Sequence, residues 1–191
     1  MCSFDVSHCC GVHGRYFMPA EWVAIARAIS MANSLSQALA RNDLLLEAIG
    51  RNRADTAKRL AQESENLHLS AGEREDKRRM ALGELEGAYT AALAKAAKPT
   101  GIKSWFMGVP SEAHNAAARA AVSLAVANGA LGRYESKNQN MARARKHFED
   151  YIERREDEER WRPGLEGPIE VDLEKTARER AAFAEVVARV G

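Results

Sequence analysis

The residues best equipped for chemistry stand at the start of the chain. Cys2, His8, Cys9, Cys10 and His13 fall within thirteen residues, and thiolates with imidazoles are the ligand set for zinc. Adjacent cysteines seldom close on one ion, and no second C-x-x-C follows. The plain reading is small thiols packed at a terminus; lipidation of a cysteine is a third. His68, His114 and His147 stand alone in helix-forming surroundings, with no H-E-x-x-H spacing, and read as surface or interface side chains. Gly101-Ile102-Lys103-Ser104 looks faintly like a phosphate loop, but Ala96 stands where the first glycine belongs. We therefore expect no catalytic residue, no cofactor and no metal site.

Two further sets of residues could make contacts rather than bonds. Trp105, Phe106, Met107 and Gly108 form an apolar cluster inside a Pro/Gly loop. Beyond it Ala121, Ala125 and Gly129 repeat at spacing four. That small-residue stripe lets helices approach closely, either between subunits or in a membrane. Arg143, Arg145 and Lys146 make a basic patch that could meet DNA phosphate. Glu149, Asp150 and Glu153 follow at once, which favours a solvated helix face.

The elements that carry these residues are helical. The 191 residues include 35 alanines, while Val and Ile together number 16, too few for a large sheet. Leu, Ile, Val and Phe total 36, about 19% of the chain and near the lower limit for a packed core. Net charge is +1, so self-repulsion does not open the chain and a dedicated DNA-coating role is disfavoured. No apolar run reaches the ~18 residues of a membrane span. The cysteines cannot staple the body, as in a cytosolic product, and the N-terminus lacks the pattern of a signal peptide.

The expected fold is all-α: long helices in a hairpin-like subunit, with an irregular head and a short C-terminal helix. Residues 1–18 form the head. A long helical region, 19–98, opens at Pro19. Trp22, Ile25, Ile29, Ala32, Leu35, Leu39, Leu46 and Ile49 share one face. Gly50 and Asn52 mark a kink or a weak spot; unbroken, about 80 residues would make a rod of roughly 120 Å, and a break near Gly72 would give two shorter helices instead. Residues 51–79 are so polar that they need neighbours or exposure, with Asp55/Arg59, Glu73/Lys77 and Glu75/Arg79 paired at helical spacing. The loop 99–110 is a hinge. A second long helix, 111–162, starts at Ser111 as N-cap, and Asp150/Arg154 and Glu156/Arg160 pair along it. In 163–191 an extended segment, with Ile169, Val171 and Leu173 alternating, precedes a helix over Glu174–Arg189.

The Met1-Cys2 start, the short mixed head, two long Ala-rich helices joined by a Gly-containing hinge and the Ala/Asn/Gln character of Ala32–Ala40 and Ser136–Ala142 together resemble the smallest internal virion protein of short-tailed bacteriophages. The resemblance covers most of the chain in pattern. It implies a structural protein of the inner core stacked on the portal, a homo-oligomeric ring with other core proteins as partners. It further implies ejection on infection and a part in a DNA conduit across the host envelope, with genomic DNA and host membrane as contacts, and no active-site residue. The alternative is a helical adaptor or coiled-coil regulator acting by protein binding; a zinc- or thiol-dependent redox factor using the head is the third reading.

Overall fold

A computed structural model describes residues 20–30, 32–97, 110–160 and 173–191. The fold is all-α. Its elements are α1 (Ala20–Ala28), α2 (Leu35–Arg41), α3 (Asp43–Leu46) with a 3-10 turn (Glu47–Ile49), α4 (Arg51–Glu63), α5 (Ala71–Ala96), α6 (Ser111–Ala130), α7 (Tyr134–Arg160) and α8 (Leu173–Val190). The head, the Trp105–Gly108 cluster and the segment expected to be extended, up to Asp172, lie outside the described residues.

The region 19–98 is not a rod. Its first turn-back is held by Asn42, which is buried. The Asn42 carboxamide accepts from Ser30 N–H at 3.1 Å and donates to the Ser30 and Ala38 carbonyls at 3.3 and 2.8 Å. One side chain thus satisfies the backbone groups that the break after α1 orphans. Gly50 adopts φ +85°, a left-handed conformation that starts α4 in a new direction. The third break lies just before Gly72, not at it. Ser70 caps α5 with a reciprocal box: its hydroxyl accepts from Glu73 N–H, and the Glu73 carboxylate accepts from Ser70 N–H at 2.8 Å.

Within the polar stretch 51–79, α4 buries one face while residues 71–79 contribute no buried side chain. Ala54, Ala57, Leu60 and Ala61 on α4 are buried, as are Ala81, Leu82 and Leu85 on α5. The helices run antiparallel, with Lys77 on Glu63 at 2.6 Å and Arg53 on Glu84 at 3.2 Å. Methyl groups suffice here because they let two backbones come close, leaving charged residues on the outer faces. The expected pairs re-sort accordingly. Lys77 meets Glu63 rather than Glu73, Arg59 meets Glu63 at 3.1 Å, and Glu75 meets Arg133 at 2.7 Å.

The second long helix is likewise two. Gly132, at φ +69°, ends α6 with a full Schellman motif: Arg133 N–H donates to the Asn128 carbonyl at 2.9 Å and Gly132 N–H to that of Gly129 at 3.0 Å. Helix α7 then folds back along α6. Ser111 is the first helical residue rather than the cap, Pro110 standing in the cap position. Ser111 N–H and hydroxyl both donate to the Glu158 carboxylate, at 2.7 and 2.6 Å. A side chain from the end of α7 thereby caps the start of α6. Helix α6 is the axis of the molecule: every residue from 117 to 128 is buried.

Helix α8 closes the structure against α7 and α1. Phe183 stacks on Phe148 at 4.0 Å between ring centroids, and Trp22 meets both edge-on at 4.9 and 5.4 Å. Beside this cluster Arg155, 5% exposed, binds the Glu179 carboxylate, which is 2% exposed, and donates to Thr176 Oγ1 at 2.9 Å. Burial opposes the Arg155 charge, but Glu179 and Tyr151 outweigh it and raise its pKa. The expected C-terminal helix agrees with α8 to within a residue at each end, and Leu173 opens it as an exposed helical residue.

Candidate functional site

The hairpin of α6 and α7 brings His114 to a pair, His147 and Asp150, that lies more than thirty residues further along the sequence. His114 lies on the first turn of α6; His147 and Asp150 lie one turn apart on α7. His114 Nδ1 is 3.6 Å from Asp150 Oδ2 and His147 Nδ1 is 3.8 Å from the same oxygen. Both contacts exceed hydrogen-bond length. Both Nδ1 atoms are buried and without a hydrogen-bond partner. The two imidazole centroids are 6.2 Å apart.

Helix α5 supplies the backing. Tyr89 Oη lies 3.1 Å from His147 Nε2, and its ring meets the imidazole edge-on at 5.9 Å. Burial lowers the pKa of His147; Asp150 opposes that shift, while His114 and Lys146 add to it. At neutral pH the ring is therefore neutral. In the tautomer whose Nε2–H donates to Tyr89 Oη, Nδ1 carries the lone pair; in the other, the phenol donates to Nε2 and Nδ1 carries the proton. Burial raises the Tyr89 pKa, opposed by Arg143, so the phenol keeps its proton.

A polar network continues from this hairpin toward α1. Trp22 Nε1–H donates to Asn115 Oδ1 at 3.0 Å, and Asn115 donates to the Glu21 and Glu112 carboxylates at 3.3 Å each. Arg119, 8% exposed, binds Glu21 at 3.0 Å and the Leu44 carbonyl. These groups lock α6 to α1 and to α3.

The residues singled out from sequence are distributed differently. Ala121 and Ala125 are fully buried within this chain, so their close packing serves the protomer's own core. Gly129 is half-buried beneath the Lys137 stem, whose Cδ would lie 3.2 Å from an added Cβ. Arg143 is exposed, donates to Asn140 Oδ1 at 3.1 Å and lies over the Tyr89 ring at 5.7 Å. Arg145 and Lys146 are exposed. All three members of the basic patch are thus exposed, with Arg143 leaning over Tyr89 of α5. His114 and His147, each alone in sequence, are neighbours. Comparison with family models, with curated proteins and with solved structures found no match to this chain.

Proposed function

We propose that this chain is a structural, assembly-forming protein whose setting is the internal core above the portal of a short-tailed bacteriophage, from which it leaves with the genome and helps line a DNA path across the host envelope. The composition of its core supports this reading. Among the described residues, 16 of the 38 buried hydrophobic side chains are alanine. A buried methyl group stabilises far less than the ~1.5–3 kcal/mol of a buried leucine or phenylalanine, and alanine loses no side-chain entropy on ordering. Such a core can be taken apart and rebuilt at low cost, as passage through a narrow portal requires. Copies of itself, the portal and adjoining core proteins are its partners, and exposed Arg143, Arg145 and Lys146 are the side chains that would meet DNA phosphate. The test is its presence in particles. The chain should occur at a fixed copy number in purified virions and disappear from them when genome release is triggered; absence from virions ends this reading.

One observation favours the adaptor reading. The bundle closes on itself, and Leu67 and Tyr134, 85% and 65% exposed, project at the end where Glu75 meets Arg133. A self-contained protomer with an apolar tip suits capture of a protein partner. Native mass separates the readings: a closed ring of many copies against a monomer or dimer.

A further inference from the structure

We propose that His114, His147 and Asp150 form a site for one divalent transition-metal ion, with zinc the best match to the donors. The proposal stands apart from the virion reading and survives its failure.

Its basis is the convergence of three donor atoms that have not satisfied one another. The ligating atoms all lie within 4.8 Å of one another. Two of the three separations, 3.6 and 3.8 Å, are too long for hydrogen bonds but close to the spacing about an ion. With metal–nitrogen and metal–oxygen lengths of about 2.0–2.2 Å, donors at tetrahedral corners sit roughly 3.3–3.5 Å apart. A closing movement of about 1 Å or less at the two rings completes that geometry. A buried imidazole nitrogen without a partner is costly, and here two such nitrogens border the same space. An ion placed there satisfies both and neutralises the carboxylate.

The surroundings suit a metal. Two imidazoles and a carboxylate are borderline donors, a set that binds zinc and leaves a fourth position for water. Asp150, its side chain 37% exposed, gives that position a route to solvent. A metal-binding imidazole ordinarily donates its other N–H to a fixed acceptor, which sets the tautomer. Tyr89 Oη fills that role at 3.1 Å from His147 Nε2. The acceptor comes from a third helix, so an ion here would tie α5, α6 and α7 together.

The experiment uses the full chain, stripped with a chelator and titrated with zinc chloride against a chromophoric competitor, with circular dichroism as the check on folding. The parent should bind an equivalent of zinc that Asp150→Asn and His114→Gln each weaken at least about 100-fold. Tyr89→Phe should weaken it about 10-fold, as loss of an outer hydrogen-bond partner does. His68→Gln, on an exposed loop residue, should bind as the parent does. An ion held by Cys2, Cys9 and Cys10 would keep its stoichiometry in every variant, and with cobalt(II) would show the intense thiolate charge-transfer band that nitrogen and oxygen ligands lack. The proposal is overturned if Asp150→Asn and His114→Gln fold and bind zinc as the parent does, or if the only zinc-dependent signal is the thiolate one. Loss of folding in His114→Gln leaves the decision to Asp150→Asn, whose side chain is partly exposed and nearly isosteric.

Discussion

Two regions of this molecule hold helices together by opposite means. Where α1, α7 and α8 meet, three aromatic rings do most of the work: Trp22, Phe148 and Phe183 stack and abut within 5.4 Å. Along the middle of α6 the work falls to methyl groups, with Ala117, Ala118, Ala120, Ala121, Ala125 and Ala127 all fully buried. The aromatic end concentrates its energy in a few large side chains. The alanine axis spreads it over backbone proximity, where no single side chain contributes much. Truncation should therefore be severe at one end, and enlargement should do the damage in the other.

The largest effect is expected from Phe148→Ala. The ring is 1% exposed and touches both other members of the cluster, so its loss removes an aromatic stack and opens a cavity. A cost of about 3–5 kcal/mol is expected for such a truncation, read from the midpoint of urea unfolding. A loss below about 1 kcal/mol would mean that the aromatic joint is not what fixes α8 to the bundle.

The converse change is Ala121→Leu on α6. The site has no exposed surface, and the added atoms must push a neighbouring helix away. Overpacking of this kind costs about 1–3 kcal/mol, although helix propensity and hydrophobicity are barely altered. If the variant is as stable as the parent, the alanine face has room to spare and the contrast between the two regions fails.

How far this contrast can be read from sequence depends on what each region uses. Large apolar residues at helical spacing announce themselves, so the face carrying Trp22 and Ile25 and the helix ending near Val190 are legible. Alanine does not announce itself: it favours a helix whether buried or exposed, so α4, whose Ala54, Ala57 and Ala61 are buried, reads as part of an unsupported polar rod. The breaks are written in residues whose roles are local. Ser70-Ala71-Gly72-Glu73 carries a legible capping-box pattern, and Gly132 followed by Arg133 is a legible helix stop. Asn42 is not legible, because its part depends on a backbone twelve residues away. The His114–His147–Asp150 cluster depends on Gly132 in turn. Without that stop, His114 and His147 sit on one helix some nine turns apart; with it, the two arms fold over and the rings meet.

His147 joins the two regions, one residue before Phe148 and packed against α5 through Tyr89, so its titration probes the seam. Asp150, His114, Lys146 and Arg143, with Tyr89 from α5, are the charged or titratable groups around it. Burial lowers its folded pKa below the ordinary 6.5, so between the two values the unfolded chain binds more protons than the folded one. Stability should rise with pH through that window and be lost as pH falls from about 6.5 toward the folded value. In metal-free protein, His147→Gln should flatten this part of the stability–pH curve. An unchanged slope would assign it to another group.

The smallest expected effect lies at the end of the alanine axis. Ala121 and Ala125 have no exposed surface, but the third member of the stripe, Gly129, meets the stem of Lys137. A side chain can yield where a helix cannot. Gly129→Ala removes the entropy penalty of a helical glycine, worth about 0.5–1 kcal/mol. Against that gain, the new Cβ would lie 3.2 Å from Lys137 Cδ, so the lysine must shift by a few tenths of an ångström. Lys137 is not wholly free to do so: its ammonium donates to the Gly191 carbonyl at 2.8 Å and lies 5.4 Å from the Tyr134 ring centroid. The two effects are of similar size, so the net change in stability should stay within about 0.5 kcal/mol of the parent. The informative readout is then local. Amide exchange at Val190 and Gly191 should quicken if Lys137 gives way, while exchange around Ala121 stays protected. A loss approaching that of Ala121→Leu would show that Lys137 is as rigid as a helix and that the close-packed axis runs the full length of α6.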